Sequence, residues 1–193
     1  MLYVLSGCLS FLPLYLFDRL KLRGAGRLPG LLFLLGCLGI FISTAGAYFS
    51  GSPRFILPPW LSILVGSLAI IFALMLLWAL FFSLPFERTY VEGTGNAVVD
   101  TGLYALCRHP GVLFFCGLYL CVWLVSGRDT MLLCALMLTL SDILHVYVQD
   151  RIYFPKTLTG YAAYRTQVPF LIPTAASVRR CIQTLRRKED RRP

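Results

Sequence analysis

Charged residues are scarce in this sequence. Only 14% of its 193 residues are Asp, Glu, Lys or Arg, against about one-quarter in an ordinary soluble domain. So few charges cannot clothe a water-facing surface. A 58% hydrophobic content and a mean hydropathy of +0.73 also exclude a disordered chain. Acids are rarer still, 9 against 18 Lys+Arg, for a net charge of +9. Histidine occurs twice, as His109 and His145, with no metal-ligand spacing, so no metal site is expected. The 7 cysteines include no Cys-x-x-Cys pair and are odd in number. They read as small apolar packing residues, not as a disulfide frame. These exclusions point to an all-α integral membrane protein with one domain over 1–193. In such a chain an excess of Lys and Arg reports orientation and anionic lipid, and no nucleic-acid partner is implied.

Five apolar runs have the character of transmembrane helices: 2–17, 28–49, 60–84, 111–125 and 130–148. The first has no basic residue before it and Arg19, Lys21, Arg23 and Arg27 just after it. A cleavable signal peptide has the reverse order, so this run is expected to be retained. Gly51, Pro53, Pro58 and Pro59 separate the second and third runs, Pro85 closes the third, and Ser126-Gly127-Arg128-Asp129 turns between the last two. With the N-terminus outside and the C-terminus cytoplasmic, every Lys and Arg except Arg54 and Arg128 falls on the cytoplasmic side. The fourth run is only about 15 residues, roughly 22 Å of helix, against a hydrocarbon core of about 30 Å. Its cytoplasmic end is expected to sit in a recess.

Polar residues near the ends of the last two runs mark a candidate site. Asp142, His145 and Gln149 share one helical face, and ionisable groups within a span normally face a bundle interior or a wet cavity. Pro110 pushes His109 out of the helical region and suits the first turn of the following helix. Arg108 and His109 then sit at an open helix N-terminus, which attracts an anion. The tight turn at 126–129 makes the two cytoplasmic ends neighbours, bringing Gln149-Asp150 close to His109. A zwitterion such as an amino-acid head group suits that corner. In the basic tail 174–193, Val178, Cys181, Ile182 and Leu185 share a face. That pattern fits either a solvated tail or an amphipathic helix on anionic inner-leaflet lipid.

The segment Gly102–Pro110 reads Gly-x-Tyr-x3-Arg-His-Pro. Downstream come Gln149-Asp150, Tyr161-Ala162-Ala163-Tyr164, Val168-Pro169 and Pro173. Together these resemble the signature of the isoprenylcysteine carboxyl methyltransferase and phospholipid methyltransferase superfamily. The resemblance implies five transmembrane helices and a cytoplasmic pocket for S-adenosylmethionine, formed by the last two helices and the C-terminal segment. It implies that Tyr104, Arg108, His109, Pro110 and Asp150 hold the cofactor, with Tyr161 and Tyr164 shaping the pocket wall. His145, Gln149 and Asp150 are then the candidate catalytic groups at the acceptor. The acceptor is implied to be lipophilic and to enter from the bilayer, most like a prenylated cysteine carboxylate. A phospholipid amine, a NADPH-dependent sterol-type reduction and a non-catalytic member that binds lipid or a partner are the alternatives. The sequence departs from the family pattern at Val112 (usually Tyr), Phe114 (usually Gly), His145 (often Arg) and Gln149 (usually Glu). Phe114 is expected to crowd the pocket, and Asp142 to keep His145 cationic.

The orientation is testable by fusing reporters to the basic tail. A fluorescent protein there is expected to fluoresce and alkaline phosphatase to be inactive, and the opposite pattern refutes a cytoplasmic C-terminus.

Overall fold

The computed structural model describes residues 1–24, 26–82 and 96–189, which are mostly helical. The end of the third run at 83–84, the following basic residue Arg88 and the last residues of the tail lie outside the described residues.

The first apolar run, expected as one helix over 2–17, is two: α1 (Leu2–Leu9) and α2 (Phe11–Lys21). Pro13 has no N–H to offer the carbonyl of Leu9, and the Ser10 hydroxyl donates back to the carbonyl of Ser6 at 2.8 Å. Helix α2 runs past the apolar residues, so Asp18 lies within a helix and is buried. Helix α3 (Leu28–Phe49) packs against both. The close approach depends on glycine, since a Cβ at Gly36 would stand 2.6 Å from Leu14. Cβ atoms at Gly39 and Gly46 would collide with Ser10 and the ring of Tyr3. Small residues at such contacts let helices in lipid meet backbone to backbone.

Helix α4 (Pro59–Leu77) ends in a π turn over Trp78–Phe82. It lies on α6 (Pro110–Ser126), where Gly117 admits the ring of Phe72. Helix α7 (Asp129–Val148) does not stop where the sequence turns polar. A second π turn over Gln149–Tyr153 carries it into α8 (Phe154–Thr157). The expected end at 148 is therefore a change of pitch, not a terminus. Among the described residues, three helical segments are long and apolar enough to cross a membrane: Leu28–Phe49, Pro59–Leu80 and Asp129–Thr157. Helix α6, at 17 residues, is a shorter apolar helix. Apolar side chains such as Phe41, Ile63 and Leu136 point outward and suit a lipid surround. Inside, Val4, Phe11, Leu14, Ala47, Tyr119, Met131 and Leu138 form the core.

The rest of the chain gathers at one end of the bundle. Strand β1 (Asn96–Ala97) pairs in parallel with β2 (Leu158–Thr159). Between β1 and α6 lies the one-turn helix α5 (Leu103–Leu106). Helices α9 (Tyr161–Gln167) and α10 (Ala175–Glu189) follow β2, and α10 packs on α5. The four tail residues expected to share one face divide in the fold. Cys181 is buried while Val178, Ile182 and Leu185 are exposed.

The α6–α7 turn gives a stability test. Gly127 caps α6 at φ +63°, and its carbonyl accepts from the Arg54 N–H at 2.8 Å. A Cβ there would overlap the carbonyl oxygen of Phe55. Gly127→Ala is expected to cost about 2 kcal/mol or more, read as a lower unfolding midpoint in detergent. Gly66→Ala, in open space within α4, is the control and is expected to be neutral or slightly stabilising.

Candidate functional site

A cavity of about 540 Å³ lies between the helices at the end where β1, β2 and α9 gather. Helix α3 packs on α1 and α2, and α4 packs on α6. The cavity is bounded by both groups, and its wall includes Phe41 and Leu77, which also face outward. At the other end, Arg108, His109, Gln149 and Asp18 line it. One space thus joins an apolar region at the bundle surface to a polar corner.

The polar corner is built around Asp150, which is only 1% exposed. Its Oδ1 accepts from Arg108 Nη1 at 2.6 Å and from the Tyr161 hydroxyl at 2.5 Å. Arg165 Nε stands 3.6 Å from its Oδ2. A buried carboxylate is tolerable only with such partners. Burial, then the carboxylate it donates to, hold the Tyr161 hydroxyl above the ordinary phenol range, so it remains a donor. Tyr164 donates to the carbonyl of Tyr104 at 2.7 Å, and the Arg108 N–H donates to the carbonyl of Pro169 at 2.9 Å. Tyr104 donates in turn to the Ala79 carbonyl in the first π turn at 3.0 Å. The segment after β2 is thereby laced to α5 and to the start of α6.

His109 occupies the N-cap of α6 at φ −129°, ψ 64°, outside the helical region that the following Pro110 disfavours. Its ring stacks on Phe154 at 5.9 Å and meets Phe170 edge-on at 5.1 Å. Nε2 lies 3.5 Å from Asp150 Oδ1 but makes no hydrogen bond, and Arg108 Nε is also buried without one. Burial holds the His109 imidazole below its ordinary value despite the nearby carboxylate. The ring is therefore neutral near pH 7.

A second cluster centres on Asp18. His145 Nε2 is 2.9 Å from Asp18 Oδ2, and Gln149 Nε2 donates to both Asp18 oxygens at 3.1 and 3.0 Å. The edge of Tyr15 meets the His145 ring at 4.9 Å. Neighbours on a helix point about 100° apart, so Gln149 faces Asp18 across the bundle while Asp150 faces Arg108.

Every expected site residue is near this corner, but three sequence-based details are corrected. Asp150 sits behind the cavity wall, held by Arg108 and Tyr161, and is not among the lining residues. The hydrogen-bonding partner of His145 is Asp18, not Asp142, which lines the cavity separately. Phe114 is buried away from the cavity, whose wall there is Gly111, Val112 and Phe115, so it does not crowd the space. Sequence reasoning missed Asp18, Phe154, Arg165 and Phe170. The one available signal was Asp18, a lone acid among the bases that follow the first apolar run. Among the described residues no cluster of His, Cys, Asp or Glu could hold a metal ion. Comparison of the chain with protein-family models, curated proteins and solved structures finds no match.

The state of His109 sets a pH dependence. Its folded-state value lies below the unfolded one, so the stability it contributes is present above the unfolded value and is lost as pH falls. Between about pH 7.5 and about pH 5.5 the native protein is expected to lose roughly 1 kcal/mol more than His109→Gln. Thermal unfolding of both proteins across that range checks it, and equal losses refute it.

Proposed function

We propose that this chain is a membrane-embedded S-adenosylmethionine-dependent methyltransferase with a lipophilic acceptor. It belongs in this reading to the isoprenylcysteine carboxyl and phospholipid methyltransferase superfamily. The reading includes five spans, with the N-terminus outside and the site on the cytoplasmic face. The observation that carries it is the single cavity with two chemically different ends. Arg108 and His109 stand at the polar end, and Phe41 and Leu77 at the end open to the bundle surface. A lipid tail and a water-soluble cofactor can reach one space from opposite directions only in such a cavity.

The residues fit that cofactor on a specific point. His109 Nε2 and Arg108 Nε are buried polar groups with no hydrogen bond, at the open N-terminus of α6. A cofactor carboxylate supplies the acceptor atoms they lack. When bound, S-adenosylmethionine provides an electrophilic methyl group. Tyr104 and Pro110 shape the same wall, Asp150 fixes the Arg108 guanidinium, and Tyr161 fixes Asp150. Phe154 and Phe170 hold the His109 ring and exclude water around it.

The opposite wall bears on the acceptor. Asp18, 2.9 Å from His145 Nε2, favours the tautomer with hydrogen on Nε2 and a lone pair on Nδ1. A proton leaving an amine or thiol can be taken at Nδ1, with Asp18 stabilising the imidazolium. A carboxylate acceptor needs no base, and on the wall Lys21 and Arg108 attract it while Asp18 and Asp142 repel it. The His145–Asp18 pair therefore admits a protonated nucleophile as acceptor besides the prenylcysteine carboxylate suggested by the resemblance. A second reading also has an observation behind it. Arg108 is neutralised by Asp150, and Asp18 is satisfied by His145 and Gln149. Such closed networks suit a lipid-binding protein without catalysis.

Calorimetric titration of detergent-purified protein separates the readings. S-adenosylmethionine is expected to bind, and His109→Ala to weaken it by about tenfold, the worth of one hydrogen bond to a charged group. Transfer of labelled methyl to a long-chain amine or thiol is then expected. Binding of NADPH alone points to a reductase, and silence towards both cofactors overturns the methyltransferase reading.

A further inference from the structure

Helix α10 is fastened on one side and bare on another. Its start is encoded locally, because Thr174 and Ser177 exchange hydrogen bonds between side chain and backbone N–H at 2.9 and 3.2 Å. Its docked side is Ser177, Cys181 and Thr184. The first two are buried, and the Thr184 hydroxyl accepts from the Gly102 N–H at 3.0 Å. Arg180 donates to Gln167 of α9 at 3.2 Å. About a quarter turn away lie Val178, Ile182 and Leu185, which are 40%, 46% and 50% exposed. Arg179 and Arg186 follow next around the helix, so the apolar strip lies between the docked side and two arginines.

An apolar strip edged by arginine is the pattern of a helix lying in a bilayer interface. The rest of the fold puts α10 at such a surface. It packs on α5, and α5 leads within four residues into α6, an apolar helix. The charge has one sign over most of the helix: Arg179, Arg180, Arg186, Arg187 and Lys188 against Glu189. A half-exposed apolar strip edged by arginines in that setting matches negatively charged lipid better than neutral lipid or water.

We propose that α10 lies on an anionic bilayer surface, with Val178, Ile182 and Leu185 in the interface and Arg179 and Arg186 among the head groups. The docked side stays on α5. Lipid contact then reaches the segment that carries Tyr104, Arg108 and His109 through the Thr184–Gly102 hydrogen bond. The lipid contact itself does not depend on the methyltransferase reading.

Hydrogen exchange on the full chain, reconstituted in vesicles, tests this. Two compositions are compared, phosphatidylcholine alone and phosphatidylcholine with phosphatidylglycerol. Amides of α10 are expected to exchange about tenfold more slowly with the anionic lipid, because Arg179 and Arg186 are attracted to its head groups. Amides of α6 are expected to be unchanged and report that the fold is intact. The double variant Arg179→Glu, Arg186→Glu is expected to abolish the difference, and Ile182→Ser to reduce it. Equal exchange in the two vesicles overturns the proposal, as does protection that survives charge reversal. Protection that ignores Ile182→Ser overturns the seating of the strip in the interface.

Discussion

A carboxylate removed from water has to be answered from several directions, and Asp150 is answered by residues far apart in the chain. Arg108 comes from the approach to α6, and Tyr161 and Arg165 from α9. Each of these has its own tie. Arg108 is held through its backbone by Pro169, and α9 through Tyr164 by the carbonyl of Tyr104. The corner therefore behaves as one unit. Removing Arg108 does more than delete a cation, because it leaves a buried charge without its closest ionic partner.

The second cluster repeats this logic on the other side of the cavity with a different sign of exposure. Asp18 lines the cavity, whereas Asp150 stands behind it. The polar corner thus presents a neutral His109 and a neutralised Arg108 on one wall and an Asp18–His145 pair on the other. Charge on the cavity surface is mixed, Asp18 and Asp142 against Lys21 and Arg108, although the whole chain is basic. Most of the Lys and Arg sits elsewhere and says little about what the cavity accepts.

Much of this was legible in the sequence where the signal is local. Pro110 and the turn at 126–129 dictate backbone geometry directly, so the meeting of His109 with Asp150 follows from them. The long apolar runs show up as helices, the form in which an apolar segment satisfies its own backbone, and three are long enough to cross a membrane among the described residues. What was not legible depends on pitch and on distance. Sequence periodicity assumes 3.6 residues per turn, so a π turn that carries α7 on into α8 leaves no mark in it. Asp18 lies far from His145 in the chain, and nothing local to either names the other. Phe170 lies between α9 and α10, and nothing local to it names His109 as its neighbour.

The two-residue parallel bridge between β1 and β2 is small, but it joins chain segments on either side of the whole α6–α7 hairpin. A parallel pair cannot form by local zipping, because its connection must first be laid down. The corner around Asp150 thus joins a near partner to a distant one. Tyr161 lies eleven residues from Asp150, whereas Arg108 and β1 lie beyond the whole hairpin. A chain halted between α8 and α9 would have every apolar helix in place and a site that has not yet closed.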